Sequence, residues 1–128
     1  DNFEIQPMVA VMITDDVQKA LDAQKPGIAL YVGGMGAKGF NFHNDHMIQR
    51  GYPEAAEKIQ ELFLAGRKRE AADAVPDEYI DEACLVGTPD RIKERFQAWV
   101  DTGISGMTIT TSQAHTLEVM ADIAELSR

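Results

Sequence analysis

The sequence has little of several features that define common classes of protein. It contains one cysteine, Cys84, so an intramolecular disulfide and a multi-cysteine metal site are both excluded. Cys84 lies in an apolar run, where we expect a buried and unreactive thiol. No apolar run approaches the roughly 18 residues of a membrane span, and no segment has the pattern of a signal peptide. These observations predict a cytoplasmic protein without a membrane partner.

Basic residues are also scarce. Twelve Lys and Arg stand against 21 Asp and Glu, which gives a formal net charge of -9. Phosphate contacts need clustered basic side chains, so this balance argues against nucleic acid as a partner. The basic cluster at residues 67–69 is followed by Glu70, which is typical of a solvated helix face. The chain begins with Asp1 rather than Met, which we interpret as a trimmed start or an internal piece of a longer chain.

The composition that remains is ordinary for a globular protein. The 128 residues are 45% hydrophobic and 26% charged, enough for one domain with a modest core. Three apolar segments, at residues 8–13, 84–86 and 106–110, predict strands. The first is apolar at every position, which is typical of a parallel strand buried on both faces. Helices follow each strand, so we predict a parallel α/β sheet with two open edges, part of a larger sheet or barrel.

Local signals predict where the helices begin and end. Thr14 and the acidic residues after it can accept the free N–H groups of a first turn, whereas Pro26 predicts a kink or break near Lys25. The pattern is helical throughout residues 41–75, and the last helix is expected near residues 115–126. A further helix begins with Thr88 as N-cap and Pro89 in its first turn. Its buried stripe is predicted to comprise Ile92, Phe96, Trp99 and Val100.

The most unusual stretch is residues 28–44, where an apolar helical run stops at four glycines within seven residues. Glycine permits φ > 0 and a close backbone approach, so the cluster predicts a helix end and a bend. One interpretation is a helix cap followed by a mobile surface loop. The other is a cleft wall, in which backbone N–H groups and the side chains of Phe40, Asn41, Phe42 and His43 line a ligand.

Other motifs are weaker. His43 and His46 could share a helix face, but no third ligand is evident, so no metal site is predicted. The glycines do not form the dinucleotide-binding fingerprint and follow a helix rather than a strand. In α/β barrels the site lies where strands end, so we expect Thr14, Asp15 and residues 110–112 to share one face. The helix that starts at residues 87–90 lies at the same end of the strands, and its N-terminus is a candidate phosphate site. The negative charge of Asp90 disfavours binding of an anion there.

A family pattern is carried by residues 29–36, 41–42, 44–45, 59–72, 74–78 and 85–92. Together they resemble the carboxyl-terminal half of luciferase-like oxidoreductases that use coenzyme F420. Residues 86–90 match a motif of the whole luciferase-like superfamily, flavin enzymes included, whereas residues 31–36 are more specific to the deazaflavin branch.

The resemblance implies the carboxyl-terminal part of a TIM (β/α)8 barrel, with about three parallel strands and a helical insertion near residues 28–75 within one partial domain, residues 1–128. A complete barrel needs about 250 residues. The implied reaction is hydride transfer between coenzyme F420 and a small organic substrate. An FMN-dependent luciferase-like monooxygenase is the alternative.

The resemblance also implies a set of cofactor-binding residues: Gly33, Gly34, Met35, Gly36, Asn41, Phe42, His43 and Thr14. No catalytic residue is identified, and His43 is the single candidate for an acid or base. A third hypothesis is a non-catalytic fragment that associates, because open sheet edges invite pairing with another chain. The expected partner is then a second copy or the missing amino-terminal half-barrel.

Overall fold

The computed structural model describes residues 3–126, so the prediction made on Asp1 lies outside the described residues. The chain forms two compact units: unit 1 comprises residues up to 20 and from 83 onward, and unit 2 comprises residues 21–82. The elements in chain order are β1 (Met8–Ile13), α1 (Val17–Ala29), a π-helical turn (Leu30–Gly34), α2 (Phe42–Gln49), α3 (Pro53–Leu64), α4 (Lys68–Asp73), α5 (Asp77–Asp81), β2 (Cys84–Gly87), α6 (Pro89–Asp101), β3 (Thr108–Thr110) and α7 (Thr116–Ile123).

Unit 1 contains one parallel sheet in which the strand order is β2-β1-β3. Ala10 of β1 is the register partner of Cys84 in β2, and Met8 is the partner of Thr108 in β3. The predicted α/β class with three parallel strands is confirmed, and it is consistent with part of a barrel. The third strand is shorter than predicted, because it begins at Thr108 rather than at residue 106.

The core of unit 1 lies between one face of this sheet and helices α6 and α7. It is formed by Val9, Val11, Leu85, Ile92 and Met120. The predicted burial of Ile92 is confirmed, and Phe96 and Trp99 are partly buried against the same core. Val100 is 44% exposed, so its predicted burial is wrong. It lies instead at an apolar cavity beside α6 and α7.

The prediction that β1 is buried on both faces is wrong at its first residue. Side chains alternate between the two faces of a strand, so Met8 and Val9 point in opposite directions. Val9 is fully buried against the core, whereas Met8 is 72% exposed. The face of the sheet opposite the core is therefore open at this end of β1. Cys84 is 2% exposed, which confirms the expected buried thiol.

Unit 2 is helical, as the sequence predicts for residues 41–75. A kink or break is expected near Lys25 from the sequence, and a break is excluded, because α1 continues past Pro26 as far as Ala29 and then widens into the π-helical turn. Proline removes one hydrogen bond, but Ala29 and Val32 lie beyond it and are buried, so packing keeps the chain helical. Within residues 3–126, no helix is both long and apolar enough to cross a membrane.

Candidate functional site

Two buried asparagines hold the end of the π-helical turn in unit 2. The Asn41 Nδ2 atom donates to the carbonyl oxygens of Tyr31 and Val32, each at 3.0 Å. The Asn44 Nδ2 atom donates to the Val32 carbonyl at 3.1 Å and to the Ala56 carbonyl at 2.8 Å. Carbonyl groups at a helix end lack partners within the helix, and buried ones need a replacement. The two side-chain amides therefore fix the bend that follows the turn.

Asn41 also begins the next helix. Its Oδ1 atom accepts a hydrogen bond from the Asn44 N–H at 3.1 Å, and its backbone is extended, as an N-cap residue requires. Asn41 is 1% exposed. Both of its amide donors and its carbonyl oxygen thus have partners inside unit 2. The structure gives this predicted site residue a positioning role, and its direct contact with a cofactor stays a prediction.

The glycines of the turn are explained by close packing. A Cβ atom on Gly33 would lie 2.6 Å from the Cβ of Phe63 in α3. A Cβ atom on Gly34 would overlap the Phe63 ring, and one on Gly36 would overlap the Phe40 carbonyl. None of these three glycines has φ > 0, unlike Gly39, whose φ is +83°. The space beside their Cα atoms is therefore occupied by the protein itself.

An aromatic cleft lies next to this turn, with a volume of about 260 Å³. We use this name for the concavity lined by Ile28, Tyr31, Val32, His43 and Tyr79. The rings of Tyr31 and His43 meet edge-on, with their centroids 4.9 Å apart. Among the predicted site residues, His43 is the one that lines this cleft. Met35 is 55% exposed and Phe42 is 76% exposed. The centroids of the Phe42 and His43 rings are 5.5 Å apart.

The Arg50 side chain packs against Tyr79, which forms one wall of the aromatic cleft. The Arg50 guanidinium lies 4.0 Å from the centroid of the Tyr79 ring and donates to the Tyr79 carbonyl at 3.0 Å. Arg50 also pairs with Glu82 at 2.9 Å. Tyr52 donates to the same carboxylate, and partial desolvation of its hydroxyl, together with this hydrogen bond, raises the pKa of Tyr52. Sequence reasoning missed Arg50 and Tyr79 because they lie 29 residues apart.

In unit 1 the ends of β1 and β2 meet, as predicted. The Thr14 N–H donates to the Gly87 carbonyl at 2.9 Å, and the Thr14 Oγ1 accepts from the Asp16 N–H at 3.0 Å. The Thr88 Oγ1 accepts from the Arg91 N–H at 3.3 Å, which confirms Thr88 as the N-cap of α6. These oxygens are thus used in local turns and caps. Contact between Thr14 and a cofactor stays a prediction.

Gln113, which sequence reasoning missed, pairs with the backbone at the carboxyl end of β1. The Gln113 side chain accepts from the Ile13 N–H at 2.8 Å and donates to the Ile13 carbonyl at 2.9 Å. It therefore replaces a neighbouring strand at the last residue of β1. Thr116, which is fully buried, donates to the Gln113 side-chain oxygen at 3.3 Å. No local pattern identifies Gln113, because its partner is 100 residues away.

Comparison with known proteins identifies the family. A family model described as "Luciferase-like monooxygenase" matches residues 1–106. That match covers most of the chain, so this chain belongs to the luciferase-like family, and the resemblance described above is confirmed.

A more specific similarity is to a Mycobacterium tuberculosis (strain ATCC 25618 / H37Rv) protein named "Putative coenzyme F420-dependent oxidoreductase Rv3520c". The two are 40% identical over 126 residues, which is 98% of this chain and 35% of that relative. The chain thus spans about a third of the length of the relative that it matches.

Proposed function

We propose that this chain is part of an oxidoreductase that transfers hydride between the deazaflavin coenzyme F420 and a small organic substrate. The observation that carries the proposal is the 40% identity, over 98% of the chain, to a protein whose name specifies this coenzyme. The coenzyme supplies the hydride chemistry, and the protein's part is to orient the reactants and to exclude water.

The aromatic cleft of unit 2 has the chemistry that a planar, conjugated ring system needs. Tyr31, His43 and Tyr79 present ring edges and faces, which pack favourably against another aromatic system. The cleft volume of about 260 Å³ lies just below the range of about 300–1,000 Å³ that is typical of ligand sites. We infer that unit 2 supplies one wall of a larger site. His43 is the residue of this wall that we propose as an acid or base toward a substrate.

The predicted glycines take a supporting role in this proposal. Gly33 and Gly34 let the π-helical turn approach Phe63, and Asn41 holds the end of that turn. They fix Tyr31, which lies within the turn, relative to His43. Met35 and Phe42 are exposed and available for contact. Thr14 remains a proposed contact at the end of β1.

A second candidate function is an FMN-dependent monooxygenase of the same fold. It is supported by the description of the matching family, which names monooxygenases rather than F420-dependent enzymes. Both cofactors carry a planar tricyclic ring, so the aromatic cleft suits either of them. The choice between them requires a binding measurement.

That measurement is best made on a hybrid protein, in which this chain replaces the matching 126 residues of the Mycobacterium tuberculosis relative. Coenzyme F420 and FMN are titrated separately, and the cofactor fluorescence is recorded. We expect F420 to bind more tightly than FMN. Tight binding of FMN without binding of F420 would reject the main proposal and support the alternative.

The contribution of the aromatic cleft is tested with His43→Ala in the hybrid protein. Loss of one ring contact should weaken F420 binding, by about 0.5–1.5 kcal/mol for an aromatic pair. The matched control is His115→Ala, which removes an exposed imidazole from unit 1. Equal binding by the two variants would exclude His43 as a cofactor contact.

A further inference from the structure

Unit 2 carries large apolar side chains that its own fold leaves uncovered. Phe40 is 86% exposed and Phe42 is 76% exposed, whereas Asn41 between them is 1% exposed. The Asn41 backbone is extended, and side chains alternate in direction along extended backbone. The two phenylalanine rings therefore leave the chain on the side opposite the buried asparagine, toward solvent.

These rings belong to a larger aromatic surface. The rings of Tyr31 and Phe42 each contact the His43 ring edge-on. Phe42 also stacks on His46, with the two ring planes 14° apart. We use the name ring surface for the side chains of Tyr31, Phe40, Phe42 and His46. The ring surface borders the aromatic cleft, which Tyr31 and His43 line.

The most exposed rings are held by well-defined backbone. The Phe40 N–H donates to the Ala37 carbonyl at 2.9 Å, which closes a turn with Gly39 at its third position. The φ of Gly39 is +83°, as that position often requires. Phe42 begins α2, directly after the hydrogen-bonded Asn41. Exposed rings on a fixed backbone lose little entropy on binding, and aromatic side chains often dominate the affinity of protein interfaces.

The charge around the ring surface is compatible with contact between two copies of this chain. The net charge of -9 opposes association through most of the molecular surface, because two copies repel each other. Residues 23–44 contain no Asp or Glu and form the longest such run in the sequence. Two copies that meet at this run bring none of its residues into repulsion between carboxylates.

The exposed area of the rings fits a reversible dimer. An aromatic side chain buries about 150–250 Å², so Tyr31, Phe40 and Phe42 at their observed exposures offer roughly 300–500 Å² on each copy. Weak and transient interfaces bury less than about 600 Å² on each partner. In a two-fold contact the same surface serves both copies. The ring surface therefore supplies most of the area that such a dimer needs.

We propose that the ring surface is a two-fold contact between two copies of this chain. Phe40 and Phe42 of each copy pack against the ring surface of the other, in the edge-on and offset arrangements that aromatic rings favour. The contact lies entirely within unit 2 and is separate from the open edge of β3 in unit 1. The proposal does not depend on which cofactor binds.

The contact is tested by sedimentation over a range of protein concentrations. Thr110→Lys is used as the parent, so that pairing at the exposed edge of β3 is opposed. We expect the parent to form a dimer, and added Phe40→Ser to raise its dissociation constant about tenfold or more, because a two-fold contact loses this ring twice. The matched control is Phe3→Ser, the same change at a ring that is 84% exposed in unit 1. The control should leave the dissociation constant unchanged.

Two results of this experiment would overturn the proposal. The first is a parent that stays monomeric at every concentration. The second is an equal effect of Phe40→Ser and Phe3→Ser, which would leave the exposed rings of unit 2 free for a ligand or a different protein.

A second measurement needs no change in the ring surface, so it stays decisive if Phe40→Ser fails to fold. Backbone amide signals of the parent are recorded by NMR at low and high concentration. We expect the signals of residues 38–46 to shift and those of α6 to stay constant. Shifts confined to unit 1 overturn the proposal. No cofactor is present in either measurement, so a failure of the F420 proposal would be seen separately.

Discussion

Single residues in unit 2 decide the shape of the glycine-rich stretch. Glycine at positions 33 and 34 is required because Phe63 occupies the space of a side chain. Asn41 and Asn44 are required because they pair with buried carbonyl groups at the end of the π-helical turn. The sequence predicts a helix end here, which is correct. It could not show that Phe63, about 30 residues later, makes the glycines necessary.

Replacing Gly34 by Ala should destabilise the chain, because its Cβ would overlap the Phe63 ring. Overpacking of this kind costs about 1–3 kcal/mol in the free energy of unfolding, measured by urea denaturation. Gly27→Ala is the control, since that glycine lies in α1 with no atom near its added Cβ. The control should stabilise the chain by about 0.5–1 kcal/mol. Two equal losses would contradict the packing explanation.

Replacing Asn41 by Ala should leave the Val32 carbonyl with one partner fewer and remove the cap of α2. The expected loss is about 1–3 kcal/mol in the free energy of unfolding, the cost of unpaired buried polar groups. Gln49→Ala changes an exposed residue of the same helix and serves as the control. A loss no larger than that of the control would mean that water replaces the Asn41 amide.

At the scale of elements, an ion pair joins the start and the end of unit 2. The Lys25 ammonium of α1 lies 2.7 Å from an Asp77 carboxylate oxygen of α5 and 2.9 Å from Asp22. The hydrogen bond to Asp77, followed by that to Asp22, raises the pKa of Lys25 from its usual value of 10.5. Sequence reasoning predicted both helices but not the pair, because the two partners lie on separate elements.

The raised pKa of Lys25 predicts a dependence of stability on pH. A group whose pKa is higher in the folded state stabilises that state fully below its unfolded pKa of 10.5, and loses the effect as pH rises through the folded pKa. The free energy of unfolding should therefore fall above about pH 10.5. Tyr52, whose pKa is also raised, contributes in the same direction.

Urea denaturation over this alkaline range checks the assignment. Lys25→Met should make the fall in stability with pH smaller, because the titrating group is removed. Lys58→Met removes an exposed lysine of α3 and is the control. An identical pH dependence in the two variants would show that the Lys25 pair does not contribute.

At the scale of the whole molecule, the open sheet edge is the dominant feature. The chain covers 35% of its relative, and β3 presents an exposed edge in unit 1. Exposed edges pair with other chains unless charge or proline blocks them. The predicted homo-oligomer is thus a proposal for the chain alone, and pairing with a missing amino-terminal half-barrel is the predicted alternative.

Light scattering over a range of concentrations tests association of the chain alone. We expect the mass to rise with concentration, and Thr110→Lys to reduce the rise because a charge on an edge strand opposes pairing. Ser112→Lys adds the same charge outside β3 and should have less effect. A constant monomer mass for the unmodified chain would reject self-association.

The sequence by itself determined the local elements and the family. Thr88 and Pro89 predicted the start of α6, and the apolar run of residues 8–13 predicted β1, because caps and periodicity act between neighbours in the chain. Only the tertiary structure decided which strands pair, why the glycines are required and how Gln113 closes the sheet. Those features depend on contacts between residues far apart in the chain. Such contacts contribute free energy without producing a recognisable pattern among neighbouring residues of the sequence.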